Sequence, residues 1–271
     1  MNKSQSKAAK SDKKSAPPPA GTQTLLRGLD LLEAVVERPT PLLALSLRLQ
    51  LNRSTVHRLA SSLVERGYLK LVSGEGYALG TKLLELGFAA RKQINLARVA
   101  RPHLEQLSDM TGDAVHLGVL DGDKALYLDK LPGRRRIEIG SRVGDRHPLC
   151  STGLGKSLLL DRTHTQLRIL FDLEDEGAKR ADDFDRWRQK MEQYSAGGYS
   201  FDLEENEDQI RCVGAPVRDE TGEIVAAISV SSVAQYMADD RMQELIGTVK
   251  ESALAISREL GWTSVVDVRS R

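Results

Sequence analysis

Leu51-Asn52-Arg53-Ser54-Thr55-Val56-His57-Arg58-Leu59-Ala60-Ser61-Ser62-Leu63-Val64-Glu65-Arg66-Gly67-Tyr68 is the segment around which the rest of the chain is read. Asn52 suits an N-cap, because its side-chain oxygen can accept from the first free amides of a helix. Val56, Leu59, Ala60, Leu63 and Val64 follow at helical spacing and form one buried stripe. Arg53, Ser54, Thr55, His57 and Arg58 crowd the first turns, several of them off that stripe. Gly67 suits a left-handed helix cap. A short helix with its donors packed at the N-terminal end and turned from the core suits a DNA major groove.

The flanking residues extend this reading. Thr40-Pro41 reads as an N-cap followed by a helix-starting proline, and Leu42 to Leu49 as a short apolar helix. Two helices joined so closely are a helix-turn-helix. Tyr68 to Val72 and Gly76 to Gly80 flank Ser73-Gly74-Glu75 as a two-strand hairpin, which makes the module a winged helix. The segment Leu51 to Leu59, the Arg66-Gly67-Tyr68 end and Tyr77-Ala78-Leu79-Gly80, in this order, resemble the DNA-binding domain of the IclR family of bacterial transcriptional regulators. That family usually has a glycine in the turn before the recognition helix and an Ala-rich, Glu-containing second helix. Here Gln50 and the leucine-heavy Leu42 to Leu49 take those places.

Totals agree with a two-part chain. At 271 residues, a prior of roughly 100–200 residues per domain favours two. The net charge of +1 hides an asymmetry: residues 1–80 carry 12 Lys and Arg against 6 Asp and Glu, so +6, leaving −5 for the remainder. A basic first third on a mildly acidic remainder fits a DNA module joined to another. Cys150 and Cys212 have no metal-ligand spacing, which excludes a disulfide scaffold and a zinc finger. No apolar run approaches the roughly 20 residues that span a bilayer, and no secretory leader is evident, so a cytoplasmic protein is expected.

Taken in order, residues 1–20, rich in Lys, Ser, Ala and Pro, are expected to be a disordered tail. Leu25, Leu26, Leu29, Leu32, Val35 and Val36 form a helical stripe in residues 23–37. Thr81 and Leu83 to Ala89 open a further helix, and residues 95–110 another, ended by Thr111-Gly112. Ala114 to Leu120, Ala125 to Asp129 and Ile137 to Val143 read as strands joined by short turns, hence antiparallel. Arg134-Arg135-Arg136 reads as a solvated loop. Gly155-Lys156-Ser157 imitates the end of a phosphate-binding loop, but Cys150 stands where that motif needs its first glycine, so nucleotide binding is rejected. What remains is a helix start whose free amides form a natural anion site. Charged helices are expected over residues 161–196. Glu204, Glu205 and Glu207 read as solvated charge, whereas Asp202, between Phe201 and Leu203, is expected to be half buried. Residues 211–217 and 224–231 pair across Asp219 to Gly222, with Ser229 and Ser231 on one face, and a long helix runs from Asp239 to Leu260.

The Ala100-Arg101-Pro102-His103-Leu104 string, the Leu149 to Leu160 segment and the Gly197 to Ser232 block resemble the GAF-like effector half of the same family. The resemblance implies an α+β protein: a tail (1–20), a winged helix-turn-helix domain (21–81), a linker helix packing on a partner subunit (82–94), an effector domain with an antiparallel sheet (95–262) and a tail (263–271). It implies a cytoplasmic repressor or activator, a homodimer or homotetramer, that binds a palindromic double-stranded operator and answers to a small carboxylate. The DNA-contacting set would be Asn52, Arg53, Ser54, Thr55, His57 and Arg58. The effector set would be Gly153 and Leu154 with Asp202, Cys212, Ser229 and Ser231, and Cys150 on one wall. Free amides and hydroxyls suit a carboxylate, so a sugar-derived keto or hydroxy acid ranks first and an aromatic acid second. No catalytic residue, cofactor or metal is assigned. Two alternatives are a metal sensor using Cys150, Cys212 and Asp202, and an enzyme with a cysteine nucleophile. The enzyme would need a base, and His103, His116, His147 and His164 offer no recognisable pairing.

Overall fold

The computed structural model describes residues 22–174 and 181–263. The tail expected over 1–20, and all but the first residue of the one over 263–271, lie outside them. The chain divides into two compact units, Met1–Gln93 and Ile94–Arg271.

The first unit runs α1 (Gln23–Glu33), α2 (Leu42–Arg48), α3 (Arg53–Glu65), β1 (Leu69–Val72), β2 (Gly76–Leu79) and α4 (Thr81–Gln93). Asn52 caps α3, accepting from the Thr55 amide at 2.8 Å. At the other end the amides of Gly67 and Tyr68 donate to Val64 and Leu63, and Gly67 takes the left-handed conformation at φ +75°. Leu31, Ala34, Val35, Leu45, Val56, Ala60, Leu69 and Tyr77 form the core. β1 and β2 pair as the antiparallel wing.

Two local expectations are corrected. Pro41, not Thr40, is the N-cap of α2; Thr40 exchanges two backbone hydrogen bonds with Tyr77 and adds a third short segment to the wing. In α1 the inward side is Leu31, continued by Ala34 and Val35 just past the helix, whereas Leu25, Leu26, Leu29 and Val36 are exposed. Leucines stand on both faces of this helix, so periodicity alone did not say which face is covered.

The second unit is α5 (Leu96–Thr111), β3 (Ala114–Asp121), β4 (Lys124–Leu131), β5 (Arg146–Pro148), α6 (Gly153–Leu158), α7 (His164–Glu174), α8 (Ala181–Gly197), β6 (Ser200–Leu203), β7 (Ile210–Arg218), β8 (Ile224–Val233) and α9 (Asp239–Glu259). The strands form one antiparallel sheet in the order β5-β4-β3-β8-β7-β6. The register aligns Val115, Val230 and Val213 across neighbouring strands, on the apolar face packed by α5 and α9. The opposite face carries α6, brought close by glycines: Leu154 lies over Gly118, and Gly153 over Cys212 and Gly214. The α+β class, the winged module and the antiparallel sheet are thus as expected.

Ile137 to Val143 is not a strand. The Lys130 ammonium donates to the carbonyls of Ile139 and Ser141 at 2.6 Å each, so two acceptors that a ladder would need are bound by a side chain. The third strand of this part is Arg146–Pro148, paired with β4.

Gln50 stands in the α2–α3 turn at φ +52°, the left-handed region. A residue with a Cβ is strained there, by roughly 1–2 kcal/mol. Gln50→Gly is therefore expected to hold or raise the urea midpoint of the first unit's unfolding. Gln50→Val should lower its stability by more than about 1 kcal/mol; equal midpoints would show that the turn tolerates the conformation.

Candidate functional site

On α3, Asn52, Arg53, Ser54, His57 and Arg58 are exposed and Thr55 is half buried, while Val56 and Ala60 face the core. Ser54, His57, Arg58 and Ser61 are spaced to share one outward side of the helix. The Asn52 carboxamide oxygen is taken up by the Thr55 amide and the Ser54 hydroxyl, so Asn52 sets the helix start. Arg53, His57 and Arg58 carry the free donors of this surface.

In the second unit the α6 side of the sheet is polar in two adjacent rows. One row is Asp202, Cys212, Ser231 and Ala114; the next is Ser200, Gly214, Ser229, His116 and Lys130. Asp202, Cys212, Ser229 and Ser231 are thus brought together on one face and are all buried, as are Gly153 and Leu154 above them. Cys150 is placed elsewhere, in a cleft of about 490 Å³ with Ser151, Phe171, Trp187, Lys190 and Glu205.

Three residues outside the expected set complete the face. Tyr127 stacks between His116 and His147, with ring centroids 4.9 and 4.4 Å apart. His116 also reaches the Ser141 hydroxyl at 2.8 Å. Ser229 Oγ and His147 Nε2 are buried without a hydrogen-bond partner. Buried polar groups left in this way are costly and point to something that completes them. Alternation along β3 puts His116 on the same side as Ala114, but its partners come from pairings that one strand does not encode.

Burial dominates the electrostatics of the face. Burial, with Lys130 and His147 adding repulsion, pushes His116 down to about 3. Burial pushes the Asp202 carboxyl up to about 6, against the opposing pull of the Glu205 amide and Lys156. Burial and then Asp202 push the Cys212 thiol up to about 12, so it stays protonated and lacks the character of a nucleophile. Burial also raises Tyr127 above its ordinary value. Among the described residues no three His, Cys, Asp or Glu side chains converge to hold a metal ion.

Lys156 explains the segment that imitates a phosphate loop. Its ammonium, 1% exposed, donates to the Phe201 carbonyl at 2.9 Å and pairs with Glu205. Glu205 is therefore the counterion of a buried cation, not solvated charge; burial raises its carboxyl but Lys156 and Lys190 outweigh this and lower it. Glu204 pairs with Arg211. Three amides around the α6 start are taken up. Glu174 accepts from Cys150 N at 2.7 Å and Ser151 N at 3.1 Å, and Thr152 Oγ accepts from Gly155 N at 3.0 Å. Arg135 is likewise no solvated loop residue: it pairs with buried Asp113 at 3.0 Å and lies over the Tyr236 ring.

Residues 24–73 match the model of the IclR helix-turn-helix domain, and residues 88–258 that of the bacterial transcriptional regulator IclR C-terminal domain. The transcriptional regulator KdgR of Escherichia coli K12 is 31% identical, over 90% of this chain and 95% of its own length. The crystal structure of the Thermotoga maritima IclR protein, 30% identical, superposes with a TM-score of 0.57 over 89% of this chain and 100% of that one. The Agrobacterium tumefaciens repressor BlcR, 24% identical, shares the fold with a TM-score of 0.74 over 89% of this chain and 98% of that one. These relatives are transcriptional regulators, not enzymes. No described helix is long and apolar enough to cross a membrane.

Two outcomes follow from the charges. Asp202 has a folded pKa of about 6, above its ordinary 3.8, so it penalises the fold as pH rises through that window and fully above it. Asp202→Asn should stabilise the protein by on the order of 2–3 kcal/mol at pH 8 and by almost nothing near pH 4. A melting-temperature gain that does not vary with pH would exclude the carboxyl as its source. Glu205→Ala strands the Lys156 ammonium and should cost about 3–5 kcal/mol, much of it recovered in the double variant with Lys156→Met; urea unfolding of both variants decides this.

Proposed function

The chain belongs to the IclR family of bacterial transcriptional regulators, and we propose that it is a repressor whose operator binding is governed by a small carboxylate held on the polar sheet face of the second unit. The observation that carries the effector reading is the buried Ser229 Oγ without a hydrogen-bond partner, together with His147 Nε2, which has no hydrogen bond and lies 3.9 Å from an Asp145 oxygen, on the face that holds a buried carboxyl. A monomer on its own leaves those groups unsatisfied; a ligand bearing hydroxyl or keto oxygens completes them. Hydroxyls, a thiol and neutral imidazoles suit a hydroxylated or keto acid of sugar origin better than an aromatic acid, which takes second place.

DNA binding falls to α3. Arg53, Ser54, His57 and Arg58 present donors to base edges and phosphates, Thr55 takes part from the helix flank, and Asn52 sets the helix start. A palindromic operator needs two copies of α3, and the first unit offers a surface for pairing. Leu25, Leu26 and Leu29 of α1 and Leu84, Leu86 and Phe88 of α4 are exposed, Leu25 at 64% and Phe88 at 66%. Apolar residues this open, on two helices of a small unit, favour burial against a second subunit. We assign α4 as the linker helix, the dimer as the DNA-binding form and a dimer of dimers as the larger assembly, in the cytoplasm, where the chromosome lies.

Regulation is then a population shift. The effector prefers one arrangement of the dimer, and tenfold relief of the operator needs only about 1.4 kcal/mol of differential affinity. Arg53→Ala and Arg58→Ala should each weaken operator binding by roughly 5- to 100-fold, the range of about 1–3 kcal/mol per contact, with effector binding unchanged. Asp202→Ala should keep operator affinity and lose the response. Fluorescence anisotropy on labelled operator DNA, with and without acid, reads all three. Full operator affinity in an arginine variant removes that residue from the interface, and an unchanged response in Asp202→Ala removes the carboxyl from the pocket.

A further inference from the structure

The second unit has a cleft apart from the polar sheet face, between the residues that follow α6, the start of α7 and the second half of α8. Its volume is about 380 Å³, and small-molecule sites span roughly 300–1,000 Å³. Leu159, Leu160, Leu167 and Met191, all buried, give it a hydrocarbon floor. Helical periodicity builds the rim. On α8, Phe184, Trp187, Met191 and Tyr194 form the buried stripe. Arg188, Glu192 and Ser195 each follow a stripe residue by one position, which sets them along its edge and at the cleft.

The charges around this corner are matched, with one exception. Arg188 pairs with Glu192, and its buried Nε, without a hydrogen bond, lies 3.7 Å from an Asp185 oxygen. Arg168 pairs with Asp172 and lies over the Phe184 ring, against which His164 packs edge-on. Asp161, the residue before Arg162, is taken by Arg218. Arg162 itself is half-buried at the cleft, and among the described residues no hydrogen bond or ion pair engages its guanidinium.

We propose that this cleft is a second small-molecule site, for a monocarboxylate with an apolar body, its acid group on Arg162 and its hydrocarbon part on the four floor residues. A guanidinium presents a planar fork that meets both oxygens of a carboxylate. One unmatched cation suits a single negative charge. Four aliphatic floor residues suit a body without hydroxyls, because a hydroxyl set against them loses its hydrogen bonds to water. The polar sheet face favours the opposite kind of acid, so the two sites divide acids by polarity. Leu159 and Leu160 continue the chain directly from α6, so an occupant of the cleft bears on the helix that covers the sheet face.

The test titrates the full chain by calorimetry with benzoate and hexanoate, and with benzamide and hexanamide as uncharged counterparts. Wild type is compared with Arg162→Met, Ala196→Trp and Asp202→Ala, each checked for folding by circular dichroism. Ala196 is exposed on α8 at the cleft, so a tryptophan there fills the cleft without entering the core. At least one acid should saturate wild type with a Kd of about 1 mM or tighter, and which one does so separates an aromatic from an aliphatic body. That acid should bind Arg162→Met roughly tenfold or more weakly, the effect of losing a charge-assisted contact. It should weaken as much in Ala196→Trp, stay within about threefold in Asp202→Ala, and exceed its amide by a similar tenfold in wild type. Saturation by neither acid overturns the site, as does unchanged affinity in Arg162→Met or Ala196→Trp. Binding lost in Asp202→Ala and kept in Arg162→Met places the acid on the sheet face and overturns it too. A smaller assembly of Ala196→Trp in light scattering would make the cleft a contact between subunits instead.

Discussion

The ammonium of Lys156 sits in the interior of the second unit, and a charge in that position has to be answered from several directions at once. The Phe201 carbonyl answers it from β6 and the Glu205 carboxylate from the turn that follows. The consequence is positional. α6 is drawn against β6 and β7 closely enough that Gly153 and Gly214 have no room for a side chain. Ser157 and Ser200 share a hydrogen bond across the same contact, and Ser200 donates to the Gly153 carbonyl. The height of α6 over the sheet, and so the shape of the polar face, depends on one buried pair.

That face is costly by design of its chemistry. It holds a carboxyl whose ionisation is resisted by burial, a hydroxyl without a partner and a histidine that stays neutral. A domain selected for stability alone would place apolar residues there, as the opposite face does with Val115, Val213 and Val230. Expensive polar groups gathered at one place are the physical mark of a site. Residues 133–145 and α6 both border it, the first held by Lys130 and His116 and the second by Lys156.

Much was legible in the chain itself. The recognition helix could be placed by its cap, stripe and terminal glycine because all three are local: Asn52, Val56 and Gly67 act within a few residues of one another. The alternation Ser229, Val230, Ser231 set the two faces of β8 for the same reason. The expectations that failed all depended on partners distant in sequence. Ile137 to Val143 has strand composition, yet Lys130 and His116 engage its acceptors and hydroxyl. Glu205 looks solvated until Lys156, 49 positions away, is brought beside it. The α1 leucines lie on two sides, and only packing chose between them.

By itself the sequence determined the winged module, the antiparallel pairing of the second unit and the alternation of Ser229 and Ser231 onto one face, while the family and the rest of the polar set came from the resemblance of whole motifs. The first three follow from periodicity, capping and turn chemistry, which act over a few residues of chain. The tertiary structure alone decided that Glu174 and Thr152 take up the amides of Cys150, Ser151 and Gly155, that Lys156 is structural, that His116, Tyr127 and His147 line up across three strands, and that Lys130 donates to two backbone carbonyls. Each of those depends on which strand neighbours which, and on the low dielectric of an interior that forces every buried charge and donor to find a partner or wait for one.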